Sequence, residues 1–216
     1  MSAPGDGRTA TRPVQGRAVT AERASLVVDE DGVARCGWAG SSPEYVRYHD
    51  VEWGTPLHGD ARLFEKLSLE GFQAGLSWIT ILRRRENFRA AFHGFDIARV
   101  AAMTAADADA LMQNSGIIRN RAKIDATIAN AGLARDLVGR GSGALDELLW
   151  SFAPPQRASP PATLAEVPAI TAESTAMSAA LRSLGFRFVG PTTLYALMQS
   201  SGMVDDHVAG CVRARA

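Results

Sequence analysis

Cysteine occurs only twice in the 216 residues, at Cys36 and Cys211. Two thiols cannot make a disulfide framework, and one lone disulfide joining the two ends does not suit a reducing compartment. Lysine is equally scarce, with only Lys66 and Lys123, which leaves few amines for Schiff-base chemistry. No apolar run reaches the length needed to cross a bilayer and the N-terminus lacks an apolar signal core, so we expect a cytoplasmic protein with no membrane partner. An excess of either charge is also missing: 23 basic residues face 23 acidic ones. Contact with a polyanion must therefore come from a local patch, because overall attraction cannot supply it. Strand signals are few and short, which points to an all-α fold.

What is present supports one domain. At 46% hydrophobic the chain can bury a sizeable core. Residues 1–33 open with a mixture of Gly, Pro, Thr and Arg without apolar periodicity and read as a disordered extension. Residues 34–216 are expected to form the helical domain.

The richest stretch begins CGWAGSSPEYVRYHDVEWG at Cys36, and it is answered near the other end by HVAGC, His207 to Cys211. Cys36, His49, His207 and Cys211 make a Cys2His2 set, a donor combination suited to tetrahedral zinc. A helix starting near Pro43 places Tyr45, Tyr48 and His49 on one face. A final helix starting near Asp205 is expected to do the same for His207 and Cys211, at i and i+4. Trp38, Tyr45, Tyr48, Trp53 and Trp78 gather most of the chain's Trp and Tyr into this region. An aromatic stripe usually packs in a core, but flat faces with polar handles beside a metal site also suit a pocket for a planar heterocycle.

Downstream, Leu63, Phe64 and Leu67, then Leu76, Ile79, Ile81 and Leu82, mark two helices joined at Gly71 and Gly75. Glu70 stands at the join among Leu69, Phe72 and Trp78. In an apolar wall a carboxylate is costly unless paired, hydrogen-bonded or protonated; a Lys66–Glu70 surface pair at i, i+4 is the competing reading. Arg83, Arg84 and Arg85 read as a solvated face. Thr104 and Asp107 fit a capping box. Then LMQNSGIIRNRAKI suggests two helices joined by a turn at Gly116, Ile117 and Ile118, with Arg119, Arg121 and Lys123 crowding it. Such a turn can hold a phosphate, although the same residues also make an ordinary helical hairpin. Leu145–Phe152 reads as a buried helix with a structural Trp150, and Pro154, Pro155, Pro160, Pro161 and Pro168 make a surface loop. Further helices are expected over 171–184 and 192–201.

Taken together, CGW, YHDVEWG, LEGFQAGLSWITIL, SGIIRNRAKI, GFRFVGPTTLYALMQ and DDHVAGC, in this order from about Arg35 to Cys211, resemble the DNA-3-methyladenine glycosylase I family, a branch of the helix-hairpin-helix DNA glycosylases. The resemblance implies a structural zinc on Cys36, His49, His207 and Cys211 that clamps the two ends of the domain. It implies a base pocket with Glu70 as the catalytic residue, Tyr48 and a stacking Trp78, and Trp38, Tyr45 and Trp53 close by. It also implies a DNA-backbone anchor at Gly116, Ile117, Ile118, Arg119, Arg121 and Lys123. The expected partner is double-stranded DNA containing alkylated adenine, and the expected state is a monomer.

The residues suit that chemistry. N3-methyladenine carries ring charge, so its N-glycosidic bond is already weak, and the enzyme must chiefly flip the base and hold it. Aromatic faces favour the cation and Glu70 offsets its charge. Three other readings compete. A zinc-stabilised DNA-binding module without catalysis would leave the aromatic cluster around Glu70 without a purpose. A catalytic zinc hydrolase would need an open coordination position, which four protein ligands do not leave. A glycosylase/lyase would use Lys123.

Overall fold

The computed structural model describes residues 25–215. The expected disorder of the extension falls mainly on residues outside that range. Its boundary does shift, because Leu26–Val28 (β1) pairs antiparallel with Ala34–Cys36 (β2) around a turn at Gly32. The fold is mostly helical as expected, with this one small two-stranded sheet added, and β1 lies before residue 34. Val27 packs near the following 3-10 turn at Ala39–Ser41, where a Cβ on Gly40 would meet it at 2.8 Å.

Ten α-helices follow among the described residues. They are α1 (Pro43–Val51), α2 (Asp60–Gln73), α3 (Trp78–Leu82), α4 (Arg85–Ala91), α5 (Ile97–Ala101), α6 (Ala105–Leu111), α7 (Arg121–Val138), α8 (Ala144–Trp150), α9 (Ala172–Ser183) and α10 (Pro191–Ser200). Local chemistry explains their starts. Ser42 caps α1 by accepting from the Tyr45 N–H, with Pro43 in the first turn, and Thr104 with Asp107 forms the expected capping box of α6. Thr171 and Ser174 form another at α9. The N-termini of α2 and α8 cap each other. Asp60 accepts from the Leu145 and Asp146 amides, both at 3.0 Å, and Asp146 accepts from the Gly59 amide at 2.6 Å.

The helices bury one main core, with Phe64, Phe72, Phe88, Phe92, Phe95, Ile124, Leu145 and Leu194 among its members. A second, smaller cluster of Cys36, Tyr48, Trp53, Val208 and Cys211 joins the start of the domain to its end. Gly71 is not part of a join: it lies buried inside α2, and the turn to α3 is made by Gly75 at φ 82°.

The expected last helix does not form. Residues 203–215 run as turns and bends, because their backbone and cap groups are committed elsewhere. The Ala209 N–H bonds the Pro161 carbonyl, the Val212 N–H bonds the Ala34 carbonyl, and Gly210 takes φ 85°. Asp205 then accepts from the His207 amide and binds its ring. The proline-rich stretch is loop, with one 3-10 turn at Leu164–Glu166.

Candidate active site and metal cluster

A cleft of about 900 Å³ opens between the hairpin, α1, the α2–α3 turn and α10, and Trp38, Tyr45, Tyr48, Trp53, Glu70 and Trp78 all line it. Helical spacing on α1 aims Tyr45 and Tyr48 at α3, where the Tyr45 hydroxyl accepts from the Ile79 N–H at 2.9 Å. The Tyr48 and Trp78 rings lie 5.5 Å apart, tilted 44°. Trp38 meets both Tyr45 and Trp53 edge-on, at 5.6 and 5.0 Å.

Glu70 sits in the last turn of α2, 3% exposed. The surface-pair reading is thereby excluded. Ser200 on α10 donates to Glu70 Oε1 at 2.9 Å, and Oε2 is buried with no partner among the described residues. Burial pushes the Glu70 carboxyl up to about 7, against the opposing pull of the Lys66 ammonium and the Ser200 hydroxyl. Lys66 is buried too, and its Nζ donates to the Tyr48 hydroxyl at 2.9 Å. Burial lowers its ammonium to about 8, with the Glu70 and Glu52 charges opposing. Tyr48 is held well above its ordinary range by burial, then by the negative charge of Glu70 and Glu52, so it is a phenol and not a phenolate. The Trp78 Nε1 is also buried without a partner. Such a wall, with an orphan acceptor and an orphan donor facing aromatic rings, is built to receive polar edges from a flat ligand.

Behind the cleft the arginines are not a uniform solvated face. Arg85 bonds both oxygens of Glu52, at 2.5 and 2.9 Å, whereas Arg83 makes an exposed pair with Glu44.

Cys36, His49 and Cys211 are all buried, and one donor atom from each lies within 4.8 Å of the others. Cys211 Sγ is 3.4 Å from His49 Nε2. His207 stands beside this trio, its ring centroid 5.0 Å from that of His49. It arrives there without a helix: Gly54 at φ 73° lets it pack, since a Cβ would sit 2.5 Å from His207 Cε1. Each imidazole has Nδ1 on a carboxylate, His49 on Asp50 at 2.8 Å and His207 on Asp205 at 2.7 Å. Arg35 in turn holds both oxygens of Asp50 at 2.9 Å. The His207 Nε2 is buried with no partner among the described residues. Hydrogen bonding to Cys36 and His49 draws the Cys211 thiol down, while the hydrogen bond between the two free thiols and burial push Cys36 up. The structure thus brings Cys36, His49 and Cys211 together as a possible metal site, two sulfurs and an imidazole that suit a soft cation, with His207 beside them. The cluster also buttresses the cleft: Trp53 lies 4.6 Å from the His207 ring and Trp38 5.3 Å from that of His49.

The turn between α6 and α7 divides its expected residues. Gly116 N–H is taken by Asn114 Oδ1 at 2.9 Å and Ile117 N–H by the Asn114 carbonyl, while Ile118 and Arg119 amides have no acceptor among the described residues. Arg119 is exposed. Arg121 pairs with Asp109 and Asp125. Lys123 corrects the expectation outright: it is 7% exposed, and its Nζ donates to the Phe72 and Ala74 carbonyls at 2.8 and 2.6 Å. It pins the C-terminus of α2, which ends beside Glu70.

Sequence reasoning missed Ser200, Gln73, Gln199 and Asp206 as cleft residues. Nothing in the local pattern marks Ser200; only the packing of α10 on α2 brings it to Glu70. Lys66 was legible as a neighbour of Glu70 through its spacing, but not as a partner of Tyr48.

Comparison with known proteins places this architecture. The methyladenine glycosylase family model matches residues 38–214. DNA-3-methyladenine glycosylase 1 of Escherichia coli (strain K12) is 49% identical over 178 residues, covering 82% of this chain and 95% of that protein. A crystal structure of 3-methyladenine DNA glycosylase I superposes with a TM-score of 0.80 at 46% identity, covering 84% of this chain and all of that one. A variant of 3-methyladenine DNA glycosylase I solved in complex with 3-methyladenine gives 0.77 at 31% identity, over 83% and 96% of the two chains.

Proposed function

The chain belongs to the methyladenine glycosylase family, and from that premise we propose that it excises N3-methyladenine from DNA by hydrolysing the N-glycosidic bond, the first step of base excision repair. The observation that carries the reading is Glu70: a carboxylate in an aromatic wall whose Oε2 has no partner. An uncompensated buried acceptor of this kind suits a ligand that brings both a donor and a positive charge.

In this mechanism the damaged nucleotide leaves the stack, at a cost of a few kcal/mol that a damaged base lowers. The base enters the cleft against Tyr48 and Trp78, whose faces favour a cationic ring over neutral adenine. Glu70 accepts from the exocyclic amine and offsets the ring charge as a carboxylate. The C1′–N9 bond then breaks, the base leaves with the bonding electrons as neutral 3-methyladenine, and water adds to C1′ with loss of a proton to give an abasic sugar. The leaving group already carries its activation, so Glu70 acts by binding the cation and not by protonating it. Trp38, Tyr45 and Trp53 complete the walls and hold Tyr48 in register.

Cys36, His49, His207 and Cys211 are the residues that would hold zinc. Its contribution is a cross-link between the start and the end of the domain, with Asp50 and Asp205 orienting the two imidazoles. The turn at Gly116, Ile117 and Ile118 is proposed to meet the DNA backbone through the Ile118 and Arg119 amides and the Arg119 and Arg121 side chains. Lys123 supports the site from inside. The same burial argues against the glycosylase/lyase alternative, because the Lys123 amine is committed to two carbonyls. The acting species is expected to be a monomer.

The reading is tested by incubating zinc-loaded protein with methylated duplex DNA. Free 3-methyladenine with abasic sites left unnicked is the expected product; nicked strands would return the lyase alternative, and DNA binding without base release would return the non-catalytic module.

A further inference from the structure

Lys66 has no part in the mechanism above, yet it is a buried cation one turn from Glu70. It does not line the cleft. It lines the charged hollow behind it, with Glu52, Glu65, Arg85 and Arg89. From there its Nζ lies 4.8 Å from the Tyr48 ring centroid and 4.9 Å from that of Trp78, and donates to the Tyr48 oxygen at 2.9 Å.

An ammonium has donors only. In its bond with Lys66 the phenol oxygen must accept, and the phenol proton is left for a group on the other side. Glu70 lines the cleft with Tyr48, and Ser200, which neighbours the phenol, lines both the cleft and the hollow. We propose that Lys66 is a positioning residue: by occupying the Tyr48 oxygen it commits the phenol proton to donation into the cleft, so that Tyr48 as donor and Glu70 as acceptor together read the adenine edge. This rests on the reading that the cleft holds a 3-methylated adenine. The adenine edge offers an amine that donates beside a ring nitrogen that accepts, and the pair complements it. Guanine presents a carbonyl oxygen in place of the amine, and Glu70 repels that oxygen. Without Lys66 the phenol can turn and accept instead, and the edge is read less sharply.

The charge of Lys66 acts in the opposite direction. An ammonium behind two rings opposes a cation in front of them, whereas the same charge helps to keep the Glu70 carboxyl ionised, so charge alone acts on the rate in both directions. An effect through Glu70 would persist in the Tyr48→Phe background, and an effect through the phenol would not.

The test uses zinc-loaded, full-length wild type, Lys66→Met, Lys66→Arg, Tyr48→Phe and the Lys66→Met/Tyr48→Phe double variant. Single-turnover release of 3-methyladenine and 3-methylguanine from methylated duplex DNA is measured for each. Lys66→Met is expected to slow 3-methyladenine release about tenfold and to lower its ratio to 3-methylguanine. Lys66→Arg, again donors only, should restore most of both. In the Tyr48→Phe background Lys66→Met should change the rate less than about twofold, because the effect passes through the phenol. Equal losses in both backgrounds, a faster Lys66→Met, or no change would overturn the proposal. If Lys66→Met does not fold, Lys66→Gln takes its place: its amide oxygen can draw the phenol proton away, so the ratio again falls, and an unchanged ratio overturns the proposal. Wild type that binds DNA but releases no base defeats the glycosylase reading itself, and this proposal with it.

Discussion

Ser200 on α10 donates to Glu70 Oε1 at 2.9 Å and leaves Oε2 buried without a partner. One oxygen is fixed by the protein and the other is left for a ligand, so the free protein carries an unfavourable charge that a cationic base relieves.

That charge makes stability depend on pH in a stated direction. Burial raises the Glu70 carboxyl from 4.5 to about 7, so stability is fully present below the unfolded value and is lost as pH rises through the folded one, by on the order of 1–3 kcal/mol. Glu70→Gln removes the loss. Urea denaturation should show wild type and variant close together near pH ~4, with the variant gaining by that amount near pH ~8. Parallel stability curves would show that Glu70 titrates as an ordinary surface acid.

The same group sets a limb of the activity profile. Glu70 must be ionised to hold the cationic base, so kcat/KM for base release should rise with pH through about 7. The Glu70→Gln profile should lose this limb along with most of its rate.

Zinc should act on stability first. One equivalent of metal is expected per chain, and its removal by a chelator should lower Tm sharply, with activity lost through unfolding. Asp50→Asn and Asp205→Asn should keep the fold while weakening metal affinity about 10- to 100-fold, since each carboxylate orients one imidazole. Metal-free protein with an unchanged Tm would contradict the clamp.

At the turn between α6 and α7, two neighbouring cations should behave oppositely. Lys123→Met removes the link to the Phe72 and Ala74 carbonyls and should cost about 1–3 kcal/mol of stability without changing the salt dependence of DNA binding. Arg119→Ala should leave Tm in place and reduce that salt slope by about 1. A reduced slope for Lys123→Met would mean that its amine reaches DNA after all.

Much of this site was legible because its chemistry lies in rare residues. Two cysteines in the whole chain and most of its Trp and Tyr around Cys36 to Trp78 marked the cluster and the cleft before any fold was known. The helix start at Thr104 was readable from its cap, since capping is local. What escaped was non-local. His207 and Cys211 have helical spacing, yet the amides of Ala209 and Val212 bond to Pro161 and Ala34, more than forty residues away. Lys123 sits in a basic run that looks solvated, but its stem reaches α2. Lys66 and Glu70 have the spacing of a surface pair, but Tyr48 of α1, Trp78 of α3 and Ser200 of α10 close over them.

The central claim is that Glu70 holds a cationic base in the cleft, and single-turnover release of 3-methyladenine from methylated duplex DNA by wild type and Glu70→Gln tests it most directly. Wild type should release the base, and folded, zinc-loaded Glu70→Gln should be slower by about 100-fold, the scale of losing one charge-compensating group. Equal rates in two folded proteins would contradict it.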